Sequence, residues 1–379
     1  MTKLNARSPY YIKVEDSSLS YAIMELYVYT GIYGYDKGSP KYTIRKDVIS
    51  TNDYIVFEIS ELVRDYLDTT FGVGLQDYVG QNVWVEADIV EYNSSDVPIG
   101  ATNPADRYEA RILADGGTFV ASSCLQSYFD EITPPDLIAF DGYSYFEDGA
   151  NAQLSRTLLQ SNTDIYHLSG EELRIPVYSE DVTSVVFYYQ GSIVSTVSTP
   201  TSGLSYEQTV YASYTGDVDE VRVNSSGVEI INVYETDECR YTPYKVTFVN
   251  KYGALQDVWF FKKSTESLNT KSENYKSNTF NQSTLTYDIP NHQYRDFHKE
   301  GKESITMNTG FVSEEYNKVM KELLLSEKVW LTKTIDATET ILPITVKTQS
   351  LQYKTSVNDK LINYTIDFDY AFDKINNIR

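Results

Sequence analysis

Short runs in which apolar and polar residues alternate recur along the chain, separated by clusters of Gly, Asp, Asn, Ser and Pro. Period-two alternation is the mark of a strand with two unlike faces. In the first third it predicts strands at Ala22–Tyr29, Lys41–Ile44, Tyr54–Ile59 and Val83–Tyr92, with turns at Tyr35–Pro40 and Asn93–Asp96. In Val83-Trp84-Val85-Glu86-Ala87-Asp88-Ile89-Val90 the charged residues fall on alternate positions, which predicts one wet face. One short helix is expected at Ser60–Leu67, with Ser60 as N-cap and Leu62, Val63, Tyr66 and Leu67 as an apolar stripe. Thr133-Pro134-Pro135 then interrupts the pattern, because consecutive prolines continue neither strand nor helix.

The middle third predicts strands at Glu172–Tyr178, Ser184–Tyr189, Ser192–Val197, Ser205–Tyr214, Glu220–Asn224 and Val228–Tyr234. Ser198–Gly203 and Asn224–Gly227 have the composition of hairpin connections. The last third mixes periods. A strand from Tyr244 runs into the turn Asn250-Lys251-Tyr252-Gly253, and a second strand follows at Asp257–Lys262. Ser264–Gln282 is polar and poor in aliphatics, which reads as a loop or an extended arm. The strongest helical pattern covers Ser313–Glu327, with Ser313 as cap, Glu314 and Glu315 at the positive end of the dipole, and Val312, Tyr316, Val319, Met320, Leu323 and Leu324 on one face. Strands at Val329–Thr332, Leu342–Lys347 and Asn363–Tyr370 complete the region. The expected fold is therefore mainly β: two β-sandwich-like domains at 1–134 and 135–239, then an α+β domain at 240–379 with one clear amphipathic helix.

Composition adds two points. There are 34 Tyr against 15 Phe and 3 Trp, and Tyr suits strand faces and surfaces half-covered by a partner. The net charge is −22, and it is unevenly spread: residues 1–239 carry 13 basic and 37 acidic side chains, residues 240–379 carry 19 and 17. No Lys occurs between Lys46 and Lys245. An acidic body of this kind disfavours phosphate binding, so no specific nucleic-acid partner is expected. Residues Met1–Arg7 lead into no apolar segment, and no stretch has the ~20 apolar residues of a membrane span. Synthesis in the cytoplasm without a membrane span is the expectation.

Catalytic chemistry finds no foothold. No GxSxG, Walker, GxGxxG or HExxH pattern is present. His292 and His298 flank Asp296, but a strand-like or looped segment does not converge them as a helix would. Asp130-Glu131, Glu147-Asp148, Glu171-Glu172 and Asp217-Val218-Asp219-Glu220 supply acidic pairs, the last being the best calcium candidate beside Gly216. A solvated turn is the default reading of these acidic pairs. Cys124 and Cys239 are the only cysteines, and Cys124, with no nearby His, reads as a core thiol. Trp84, Trp259 and Trp330 sit between apolar neighbours, which favours core positions over sugar-stacking platforms. No catalytic residue, no cofactor and no metal site is expected.

One segment carries a resemblance. Arg240-Tyr241-Thr242-Pro243-Tyr244-Lys245-Val246-Thr247-Phe248-Val249-Asn250-Lys251-Tyr252-Gly253-Ala254, followed by Trp259-Phe260, resembles a signature of tail structural proteins from phages of Bacteroidetes, crAss-like podoviruses included. Leu323–Leu331 and the closing Leu361–Ala371 are similar as well. The likeness covers residues 240–379 and implies a non-enzymatic virion protein, a tail hub or ring subunit. Its implied partners are copies of itself in a ring-like homo-oligomer and other tail or portal-proximal proteins, and the Ser264–Gln282 arm would order on a neighbour. The alternative class is a carbohydrate- or receptor-binding tail protein or adhesin built from β-sandwich modules. A glycan-degrading enzyme is a third class, with no convergent acidic pair to recommend it.

Overall fold

The computed structural model describes residues 2–30, 37–49, 54–67, 69, 71, 82–99, 137–154, 156–180, 182–198, 208–335, 338–352 and 361–374. Thr133-Pro134-Pro135, Cys124, Asp130-Glu131, Tyr35-Asp36 and most of Ser198–Gly203 lie outside them. The described chain is mainly β, as its alternation predicts. It groups into two compact units that interleave along the sequence. The first comprises Met1–Thr163, Glu172–Asn232 and Val249–Gln256; the second comprises Asp164–Glu171, Val233–Phe248 and Asp257–Arg379.

In the first unit, β1 (Thr2–Asn5), β2 (Tyr11–Glu15), β3 (Tyr21–Tyr29), β4 (Tyr42–Asp47), β5 (Tyr54–Glu58), β6 (Asn82–Tyr92) and β7 (Leu137–Phe140) form two layers. One is a five-stranded sheet in the order β1-β7-β6-β3-β4, and the other is the β2–β5 pair. Alternation places Met24, Leu26 and Val28 of β3 and Val85, Ala87 and Ile89 of β6 on one face, where they share a core with Ile12, Val14, Ile55 and Phe57. The opposite face is not wet. Tyr27, Tyr29 and Trp84 are buried there with Ile138, Phe140 and Tyr178. Glu86 and Asp88 are only 8% exposed. Lys37 bridges both carboxylates, at 2.7 and 3.2 Å, and the Tyr29 hydroxyl donates to Glu86 at 2.5 Å. Charge at alternate positions thus marks a covered ion cluster rather than a solvated surface.

The helix α1 is shorter than expected, Ser60–Arg64, and Ser60 does not cap it. Ser60 instead gives its N–H (2.9 Å) and its hydroxyl to the Glu58 carboxylate. Val63 is buried as predicted, whereas Tyr66 is exposed. Further along, β9 (Glu172–Tyr178) and β12 (Thr209–Thr215) pair with each other, while β10 (Ser184–Tyr189), β11 (Ser192–Ser198), β13 (Glu220–Asn224) and the first half of β14 (Val228–Thr236) form a second antiparallel layer. The rings of Phe187 and Tyr214 meet at a tilt, 5.6 Å apart.

The second unit is built on a seven-stranded sheet. Its strands are β15 (Tyr244–Val249), β16 (Leu255–Phe260), β17 (Thr265–Lys276), β20 (Tyr294–Asn308), β22 (Val329–Ile335), β23 (Thr338–Val346) and β25 (Thr365–Tyr370), in the order β16-β15-β22-β23-β25-β20-β17. Two-residue pairs β18 (Phe280–Asn281) with β19 (Thr286–Tyr287) and β21 (Val312–Ser313) with β24 (Leu361–Ile362) complete it, together with β8 (Asp164–Leu168). One sheet face presents Val246, Phe248, Phe260, Ile305, Met307, Leu331, Ile366 and Phe368, and α2 (Tyr316–Leu325) buries Tyr316, Val319, Met320 and Leu323 against them.

Here too the predicted cap fails. Ser313 sits in β21, three residues ahead of α2; its N–H donates to the Tyr166 hydroxyl at 2.7 Å and its hydroxyl to Asp164 at 2.9 Å. The helix starts after Glu315 with no side-chain cap. No helix among the described residues is long and apolar enough to cross a membrane.

Candidate functional site

The turn that carries the family resemblance is organised by one side chain. Asn250 is fully buried. Its Oδ1 accepts the N–H groups of Tyr252 (2.9 Å) and Ala254 (3.1 Å), which closes the turn. Its Nδ2 donates to the Leu159 carbonyl (2.7 Å) and to Gln256 Oε1 (3.0 Å), and Gln256 passes a further bond to Asn162 at 2.9 Å. Only an amide both accepts twice and donates twice in this way. Gly253 follows with φ +74°, and a Cβ there would lie 2.7 Å from the Asp141 backbone. Gly142 faces it; a Cβ there would lie 2.6 Å from the Lys251 carbonyl. The Asn-Lys-Tyr-Gly signature therefore encodes a plug of the first unit, where two chain segments touch backbone to backbone.

The second element is the segment expected to be a loop or an arm ordering on a neighbour. Residues Thr265–Lys276 are a twelve-residue strand, β17, that pairs with β20 of its own chain. The arm is thus a built hairpin and not an unpaired segment. All twelve residues of β17 are exposed. β20 meets β25 only from Ser304 to Asn308. Beyond Leu268 and Glu303, no third strand among the described residues supports the hairpin. The Lys374 N–H reaches the Gly301 carbonyl at 2.7 Å and its ammonium reaches Glu303 at 3.1 Å. Beyond that contact six residues of β17, Lys271–Lys276, continue the ribbon and at ~3.3 Å each extend about 20 Å.

The far end of this arm is apolar. Tyr275, Phe280, Leu285, Tyr287, Ile289, Tyr294 and Phe297 are all exposed, Ile289 at 90%. Four of them meet in two pairs, Phe280 with Tyr287 at 5.6 Å and Tyr275 with Phe297 at 6.4 Å. Side chains of this size, about half exposed, present roughly 100 Å² each, so the group offers on the order of 700 Å². That is close to one side of a standard protein interface, ~800 Å².

The residues weighed for chemistry do not converge. Among the described residues no three His, Cys, Asp or Glu side chains gather as metal ligands would. His292 lies in the arm's outer loop and His298 on β20, where it meets Glu300 at 2.5 Å. His167, on β8, is buried; its ring meets the Glu171 carbonyl at 3.0 Å, and burial lowers its pKa. Asp219 receives the Gln190 N–H at 2.7 Å and so organises a turn, while Asp217 is exposed. Asp148 receives the Tyr145 N–H at 2.9 Å and pairs with Lys251 at 3.0 Å. Cys239 is exposed. Trp84 and Trp259 are buried, and Trp330 is half-buried.

No protein-family model matches the chain, and no curated protein sequence matches it. Among solved structures, the chain is similar to one described as the tail of an empty GTA particle with C6 symmetry. That likeness covers 35% of this chain and 95% of the other, at 13% identity and a TM-score of 0.24.

Proposed function

We propose that this chain is a non-catalytic structural subunit of a bacteriophage tail, a hub or ring component that joins copies of itself around the tail axis and docks other tail or portal-proximal proteins. The observation that carries the reading is the exposed β17–β20 arm with its apolar end. A two-stranded ribbon on its own is at best marginally stable in water, and an apolar group of this size on a monomer is an association surface. A neighbouring subunit supplies the missing support. The resemblance of residues 240–379 to tail structural proteins points to the virion tail as the place of assembly. The acidic first unit, short of lysine, suits a body that must not adhere to nucleic acid.

The test is a truncation. Residues 268–303 are replaced by a two-residue Asn-Gly turn, which leaves Ile305, Met307 and the rest of the second unit's core in place. Native mass spectrometry and sedimentation should show high-order oligomers of the intact chain and monomers of the truncated one, with unchanged thermal unfolding of the sheet. An intact chain that stays monomeric at high concentration and is absent from purified particles would overturn the reading, as would a truncated chain that assembles normally.

A further inference from the structure

The first unit carries an open sheet edge of its own. Among the described residues β11 is the end strand of its sheet. Its sequence, Ser192-Ile193-Val194-Ser195-Thr196-Val197-Ser198, contains no charge, no proline and no glycine. An exposed edge strand is a template for another strand, and proteins commonly guard it with lysine, proline or a bulge. Here only the bulge is present: Ser195 faces Phe187 and Ile193 faces Tyr188, which leaves Val194 without a partner on β10. No charged residue lies between Asp181 and Glu207, in a chain of net charge −22.

The sheet face beside this edge is partly apolar. Val185, Phe187, Val221, Val223 and Ile231 turn inward and are fully buried. Register sets Thr196, Val186, Arg222 and Ile230 in one row across the outer face, and Ser198, Ser184, Asn224 and Val228 in the next. Ile193, Val228 and Ile230 are 61%, 59% and 47% exposed.

We propose that this edge and face are the receptor for the β17–β20 arm of a second copy of the chain. The proposal rests on the association role given to the arm above and names where the arm docks. Strand geometry matches, because β17 is itself the last strand of the seven-stranded sheet and two open edges can pair backbone to backbone. Polarity matches, because the apolar end of the arm meets Ile193, Val228 and Ile230. Charge matches as well. From Lys271 to Lys299 the arm carries four basic side chains, Lys271, Lys276, Arg295 and Lys299, against three acidic ones, Glu273, Asp288 and Asp296. Residues 1–239 carry 13 basic and 37 acidic side chains, so a slightly cationic arm is attracted to a neighbour's acidic body. Pairing β11 with β11 would instead bring two acidic bodies together. Donor and receptor are different surfaces of one chain, so the contact is heterologous, the kind that closes rings.

The experiment mixes two altered chains. The first has residues 268–303 replaced by Asn-Gly; it lacks the arm and keeps β11. The second is full length with Val194→Lys and Thr196→Lys, both at exposed positions, and keeps the arm while its edge is charged. Alone, each should sediment as a monomer with unchanged thermal unfolding. Mixed, they should form a 1:1 heterodimer and nothing larger, since the arm of the second enters the edge of the first, which has no arm to pass on. Adding Ile230→Ser to the armless chain should weaken that heterodimer by about tenfold. The receptor assignment fails if the lysine variant assembles like the unaltered chain, if the mixture gives no heterodimer, or if the armless chain dimerises through its own edge. Should only the lysine variant assemble, the association role of the arm survives; should the armless chain assemble normally, that role falls and the receptor with it.

Discussion

Replacing Asn250 with Ala is the most informative single change in the first unit. The substitution removes four hydrogen bonds of 2.7, 2.9, 3.0 and 3.1 Å from a fully buried site. At a net ~1 kcal/mol each the loss is about 4 kcal/mol. The orphaned N–H groups of Tyr252 and Ala254 and the Leu159 carbonyl add desolvation cost, and a water molecule entering the vacated space would return part of it. The expected destabilisation is about 3–4 kcal/mol, measured as a fall in the urea midpoint at constant slope.

Asn250→Asp separates chemistry from volume. A carboxylate keeps the two accepted bonds but sets an oxygen against the Leu159 carbonyl. Burial there raises the acid's pKa above its unfolded value, so the variant binds more protons folded than unfolded. Its stability relative to the unaltered chain should improve as pH falls from 7 to 4 and decline as pH rises through the folded pKa. A loss below ~1 kcal/mol for Asn250→Ala, or a flat pH response for Asn250→Asp, would refute the claim that this amide is dry and fully engaged.

Two further predictions rest on the same logic. Gly253→Ala faces both a positive φ and backbone atoms 2.7 Å from the new Cβ, whereas Gly38→Ala, at φ +64°, meets nothing within 4 Å. Thermal unfolding should show ~1 kcal/mol lost at Gly38 and clearly more at Gly253; equal losses would remove the close backbone approach from the account. His167 is held neutral by burial, with a folded pKa below the unfolded value of 6.5. The unfolded chain therefore takes up more protons, and the second unit should lose stability as pH drops through about 6.5 toward the lower folded pKa. His167→Gln should flatten that slope, and an unchanged slope would place the titration elsewhere.

Where alternation was local, the sequence was readable. Glu172–Tyr178, Ser184–Tyr189 and Glu220–Asn224 are strands with the boundaries their patterns predict, because each has one apolar face and a turn at its end. The arm was unreadable as a strand for the opposite reason. Both faces of β17 are wet, so no period appears, and its order comes from pairing with β20 across the intervening tip. Long-range partners also defeated the helix caps. The Ser313 hydroxyl goes to Asp164, a residue 149 positions away, which no local rule anticipates. The alternating acids of β6 looked solvated because Lys37, which neutralises them, lies 49 positions from Glu86. Of the candidate site, Asn250, Lys251, Tyr252 and Gly253 were visible as a motif, but their role was not.

The interleaving of the two units bears on how the protein can be made. The first unit recruits Val249–Gln256 after the chain has already entered the second at Asp164–Glu171 and Val233–Phe248. A ribosome must therefore release Asn250 before the earlier unit can close its last gap, so the amino-terminal part waits, incomplete, through most of translation. Expression fragments ending at residue 239 should be sticky and protease-sensitive, because they lack the Val249–Gln256 segment that completes the first unit.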